Sequence, residues 1–168
     1  MATMLYILKP QEYVSDSIRI LKDLTREHVV IYVTSNKPYS SAVKLFKSES
    51  VSTDNMFFID CISKRVGEPP DEGINNVVML ESPENLTSLS IAITESINKI
   101  EGKKALFMDS LSTLALFNDV KVLEKFSQYI INKMSLMDCE MAILTLEDDT
   151  NKTIIDLVSS IVDKVVKM

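Results

Sequence analysis

Six short apolar runs recur along the chain, at 4–8, 29–33, 56–59, 77–80, 105–108 and 141–146. Each is of strand length and too short for a helix. Between them the apolar residues step at threes and fours, the spacing of one helix face. Near-continuous apolar strands are those buried on both faces, and strands alternating with helices build parallel sheets with a helical layer on each side. The pattern predicts an α/β fold: a three-layer α/β/α sandwich around a mostly parallel sheet of about six strands.

At 168 residues the chain reads as a single domain, 1–168, large enough for a substantial core. The first helix is expected over 12–26, with Val14, Ile18, Leu21 and Leu24 inward. Pro38 opens the next, which carries Ala42, Val43, Leu45 and Phe46. Ser82-Pro83-Glu84 reads as a helix start, followed by Leu86, Leu89, Ile93, Ile97 and Ile100 and closed by Gly102. After Asn118-Asp119 a stripe of Val122, Phe126, Ile130, Met134 and Met137 marks another. A last helix is expected to carry Ile154, Val158, Ile161, Val162 and Val165. Residues 63–76 hold two of the three glycines and two of the five prolines, which predicts a flexible loop inside the domain.

Composition narrows the function classes. The formal net charge is −6, opposite to the basic footprint of nucleic-acid or anionic-membrane binding. No apolar run has the length of a membrane span. The start of the sequence has no basic segment ahead of an apolar one, so a signal peptide is not expected. Cys61 and Cys139 border apolar strands and read as reduced and buried, which points to the cytoplasm. A single histidine, His28, excludes a zinc site of Cys and His ligands and reads as a helix-end residue. Arg19, Lys22 and Arg26 share one side of the first helix and read as a solvated face. Met56, Met79, Met108, Met134 and Met141 fall on expected core faces.

In such a sheet, ligands sit at the carboxyl ends of the strands. That rim presents Ser35 and Asn36, Asp60, Asp109 and Ser110, and Glu147-Asp148. Asp109 ends an apolar strand, Lys104-Ala105-Leu106-Phe107-Met108-Asp109. A phosphate cradle needs glycines whose bare backbone N–H groups can approach the ligand, and a Lys with Ser/Thr for phosphate and magnesium. The first strand-to-helix turn is Lys9-Pro10-Gln11-Glu12-Tyr13. It holds no glycine, Pro10 has no N–H, and Glu12 repels phosphate.

Phe107-Met108-Asp109-Ser110-Leu111-Ser112-Thr113-Leu114 resembles the Walker B strand of the RecA-like ATPase superfamily, in its archaeal and cyanobacterial KaiC-like branch. Val29 to Val33 with Thr34-Ser35-Asn36-Lys37-Pro38 is similar to that family's second strand and turn. Met56 to Cys61 is similar to its strand ending in Asp. The resemblance implies a RecA-like P-loop NTPase architecture with the 141–146 strand lying between the first strand and the Walker B strand. It also implies side-by-side assembly. Two departures qualify it. The Walker A loop is missing, and the acid pair that ends the family's second strand falls at Ser35 and Asn36. Asp109 alone is kept, as the residue that would hold the water shell of magnesium, and a magnesium site of this kind is completed by substrate phosphates.

The resemblance with these departures implies a non-hydrolysing member: a pseudo-ATPase acting as a regulatory or protein-interaction module, associating with itself or a protein partner and using no cofactor. Asp109 is the one candidate metal ligand, ranked below a cap or turn role; Asp60 and Glu147-Asp148-Asp149 also read first as turn and cap formers. The degenerate rim candidates for a nucleotide are Ser35, Asn36, Asp60, Asp109 and Ser110. The alternatives are a nucleotide sensor or weak ATPase with a non-standard phosphate site, and an unrelated enzyme using Asp60, Asp109 and Asp148 as a carboxylate cluster.

Overall fold

The computed structural model describes residues 2–67 and 76–168. Among these residues seven strands form one sheet: β1 (Thr3–Leu8), β2 (Val29–Thr34), β3 (Met56–Asp60), β4 (Val77–Met79), β5 (Lys104–Asp109), β6 (Glu140–Leu146) and β7 (Lys164–Lys167). The order is β4-β3-β2-β5-β6-β1-β7, and every pairing is parallel. The 141–146 run therefore lies between the first strand and the Asp109 strand, as the resemblance implies.

Among the described residues six α-helices cover the sheet: α1 (Tyr13–Thr25), α2 (Tyr39–Ser48), α3 (Leu86–Asn98), α4 (Leu111–Phe117), α5 (Val120–Leu136) and α6 (Lys152–Ile161). The chain changes face once. α1 and α2 pack on one side, where Leu21 and Phe46 meet Tyr32, Phe58 and Phe107. α3 to α6 pack on the other, where Leu89, Ile93, Leu123 and Ile130 meet Ile31, Val33, Leu106 and Met108. Successive side chains of a strand point to opposite faces, so each central strand feeds both layers. That is why its apolar run is continuous.

Several expectations shift. The last helix stops at Ile161, and Lys164–Lys167 is a seventh strand on the far edge of β1. Val165, expected in the last helix, lies in this strand. The helix expected from Ser82-Pro83-Glu84 begins at Leu86 instead, because Asn85 is the cap and accepts from the Ser88 N–H at 3.0 Å. Gly102 lies beyond that helix's C-cap, Lys99, in the turn into β5, with a φ of +83° that suits a residue without Cβ. In α5 the inward residue is Leu123, and Val122 is exposed. Val14 of α1 is exposed as well, and Met79 is half-buried; the other four methionines are core. Of the loop expected over 63–76, residues 68–75 lie outside the described residues. Among the described residues no helix is long and apolar enough to cross a membrane.

Candidate functional site

β5 pairs with β2 and β2 with β3 so that Thr34 stands in register with both Asp109 and Asp60. Two inter-strand spacings, roughly 10 Å, therefore separate the backbones of the two acids at the rim. Both side chains are buried on the α1/α2 side, at 2% and 0% exposure.

Asp109 is held by three side-chain donors. The Tyr13 hydroxyl donates to Oδ1 and the Tyr32 hydroxyl to Oδ2. Asn36 Nδ2 adds a third bond to Oδ1 at 3.0 Å. Tyr13 is the first residue of α1, directly after the first strand-to-helix turn. Tyr32 rises from β2 below the carboxylate, stacked on Phe107 with ring centroids 5.2 Å apart and edge-on to Phe46 at 5.1 Å. Burial first, and the Asp109 charge second, push both phenols far above the ordinary tyrosine range. They are therefore donors at every physiological pH, and the carboxylate is their acceptor.

The first turn closes the place for a phosphate in a second way. Pro10–Glu12 forms a single 3-10 turn. The Glu12 N–H donates to Lys9 O at 3.1 Å and the Tyr13 N–H to Pro10 O. Two amides near this helix start, those of Glu12 and Tyr13, are thus spent inside the turn rather than facing outward. Magnesium and a nucleoside triphosphate, which the fold implies, therefore do not fit the residues present. The turn has no glycine and two of its N–H groups, those of Glu12 and Tyr13, are engaged, while the acid that would meet the metal's water shell is bonded to its own chain.

Ser35 and Ser110 join the same cluster as fasteners of its backbone. The Ser35 N–H and Oγ both donate to Asp109 O, at 3.0 and 3.1 Å, and Ser35 Oγ accepts from the Ser110 N–H at 3.1 Å. Ser110 Oγ accepts from the Thr113 N–H at 3.2 Å and so caps α4. The capping role expected of Asp109 thus belongs to its neighbour, and Asp109 reaches across the fold instead. The Asp109–Ser110 peptide is cis.

Asp60 stands apart. Its Oδ1 accepts from the N–H groups of Ile62 and Ser63, at 2.8 and 2.9 Å, and its Oδ2 from the Tyr39 N–H at 2.8 Å and the Ser63 hydroxyl. It is a turn former, as expected, and it also ties down the start of α2. Asp148 accepts from the Thr150 N–H at 2.9 Å, a contact that holds its carboxyl below the usual range. The three acids of the carboxylate-cluster alternative are each engaged separately. Among the described residues no group of three or more His, Cys, Asp or Glu side chains is placed to hold a metal ion.

His28 is engaged too, with Nε2 2.8 Å from Glu140 Oε2 and Nδ1 3.1 Å from Leu24 O. The basic side of α1 is partly paired within its own helix, Arg19 to Asp16 at 2.9 Å and Arg26 to Asp23 at 3.3 Å. Sequence reasoning missed Tyr13 and Tyr32. One signal was available for Tyr32: a buried tyrosine in an aliphatic strand needs a partner for its hydroxyl.

Among solved structures the chain is similar to a KaiC-like protein from the hyperthermophilic archaeon Pyrococcus horikoshii OT3, with a TM-score of 0.57 and 13% identity. The match covers 86% of this chain and 61% of that one, so this chain spans less than two thirds of its neighbour's length. At that identity the likeness is one of fold: a KaiC-like, RecA-type α/β architecture. No curated protein matches the chain. A family model described as "Family of unknown function (DUF7504)" matches residues 7–168, and the chain belongs to that family.

Proposed function

We propose that this chain is a non-catalytic RecA/KaiC-like domain, a pseudo-ATPase that works as a regulatory or protein-interaction module. The observation that carries the reading is the Tyr13 hydroxyl on Asp109. The residue that follows the missing phosphate loop has become a ligand of the retained acid. A magnesium ion at Asp109 would have to break bonds to two phenols and one amide. It would gain no phosphate oxygens from a cradle, and magnesium gives up its own waters reluctantly. The remaining rim hydroxyls, Ser35 and Ser110, are buried and committed to the backbone. What survives of the ATPase scaffold is its shape.

The test is a nucleotide titration by equilibrium dialysis at millimolar ATP and ADP with magnesium, run beside an ATP-turnover assay. The expected result is no retained nucleotide and no turnover above buffer. Magnesium-dependent turnover in the wild type that disappears in Asp109→Ala would overturn the reading, and nucleotide retention without turnover would replace it with a sensor.

A further inference from the structure

The surface of α3 is poor in charge for this acidic chain. Across its 13 residues α3 carries one charge, Glu95. Two of its groove-lining hydroxyls are turned back on the helix: Ser90 Oγ donates to Leu86 O at 3.0 Å and Thr94 Oγ1 to Ser90 O at 2.9 Å. They ask for no external partner and present small, close-packing groups. Beside them Ile91, Val122 and Tyr129 are 54%, 50% and 51% exposed. Two shallow concavities of about 240 and 190 Å³ share Ser90 and Tyr129 and so form one groove between the helices. Each is smaller than an ordinary small-molecule pocket. Depletion of charge around exposed aromatic and aliphatic side chains is the composition of an interface core.

The ends of the groove differ in sign. Lys125 lines the part that begins at Leu86 and Thr87, and Glu95 lines the part at the other end. Neither makes an ion pair among the described residues. In a two-fold contact each residue i meets j and each j meets i. A two-fold axis through the middle of the groove would therefore set Lys125 of each copy against Glu95 of the other, with Ile91 and Tyr129 buried between the two charge pairs. The net charge of −6 opposes self-association elsewhere on the surface; here the two surfaces are neutral at the centre and complementary at the ends.

We propose that the α3/α5 groove is a homodimer interface, occupied by the same groove of a second copy of this chain. This rests on the protein-interaction role proposed above, takes a second copy of the chain as the partner, and names the surface.

The test is light-scattering mass at about 100 µM in low salt, with far-UV circular dichroism to confirm folding. Wild type should weigh twice the 18.9 kDa of one chain. Ile91→Arg should reduce the mass to that of one chain. So should Glu95→Lys and Lys125→Glu singly, each of which sets like charges opposite. The double variant Glu95→Lys/Lys125→Glu should regain the dimer, because the swap restores complementarity. A single-chain mass for wild type would overturn the proposal, as would a dimer indifferent to all three single variants or a double variant that stays monomeric. A monomer that also binds no nucleotide would sink the interface and leave the pseudo-ATPase reading standing.

Discussion

Asp60 and Asp109 end strands that flank β2 on either side, at the same level and with nearly the same burial, yet they are held in opposite ways. Asp60 is bonded mainly by backbone N–H groups, two of them within three residues of it. Asp109 is bonded by side chains 96, 77 and 73 residues away. The first acid makes a turn. The second joins α1, β2 and β5 across the carboxyl rim of the sheet. An acid at a strand end is thus not one feature but two, separated by where its donors come from.

The largest break in that comparison should come from Asp60→Ala. It orphans three backbone donors at a fully buried site, at about 1–3 kcal/mol each before relaxation, so a loss of roughly 3–5 kcal/mol is expected in urea unfolding. Asp109→Ala should cost less, about 2 kcal/mol, because Asn36 is exposed and Tyr13 half-buried. Those two donors can turn to water, and only the Tyr32 hydroxyl is left dry. Equal losses in the two variants would erase the distinction between a local turn and a long-range tie.

Within the Asp109 cluster, Tyr32→Phe should cost about 2 kcal/mol and Tyr13→Phe about 1 kcal/mol, by the usual worth of a hydrogen bond to a charged acceptor discounted for exposure. Each should couple to Asp109→Ala by at least about 0.5 kcal/mol in a double-mutant cycle. Additive losses would mean that the phenols pack near the acid without holding it.

Burial and the Asp109 charge raise the Tyr32 phenol well above its ordinary 10.0. The folded state therefore keeps a proton that the unfolded state gives up. Stability from this group is complete below pH 10 and is lost as pH rises beyond it toward the folded value. Between pH 10 and 11 the wild type should lose up to about 1.4 kcal/mol more than Tyr32→Phe, the worth of one proton over one pH unit. Parallel curves for the two proteins would show that Tyr32 is not shielded.

The sequence carried six of the seven strands well, because continuous apolar runs of strand length have few other homes than a doubly covered parallel sheet; the place of the 141–146 strand came from the resemblance and not from the runs. It lost β7 because four residues cannot show a period of two against a helix pattern that runs into them. It placed Asp60 correctly because the donors of a turn lie within a few residues. For Asp109 it ranked a local cap first, since a cap is the commonest fate of such an acid. Tyr13 and Tyr32 could not be joined to it without knowing that β1, β2 and β5 end together. That the first turn has no glycine was legible in the sequence; the bond from Tyr13 to Asp109 was not.

The smallest effect sharpens the comparison without unfolding the protein. Cys61 follows Asp60, is fully buried, and has its thiol pushed up to about 12, by burial first and by the Asp60 charge second. Cys139 is buried far along the chain, and burial raises its thiol to about 12 as well. Only the thiolate attacks a disulfide reagent, so both should label slowly in the native wild type. If Asp60 holds its turn from within, Asp60→Asn should open that turn and speed labelling of Cys61 several-fold while leaving Cys139 slow. Asp109→Asn should leave both slow, because its ties run to α1 and β2 and not to the Cys61 turn. Faster labelling of both cysteines in either variant would report global unfolding and deny that the two acids act on separate parts of the rim.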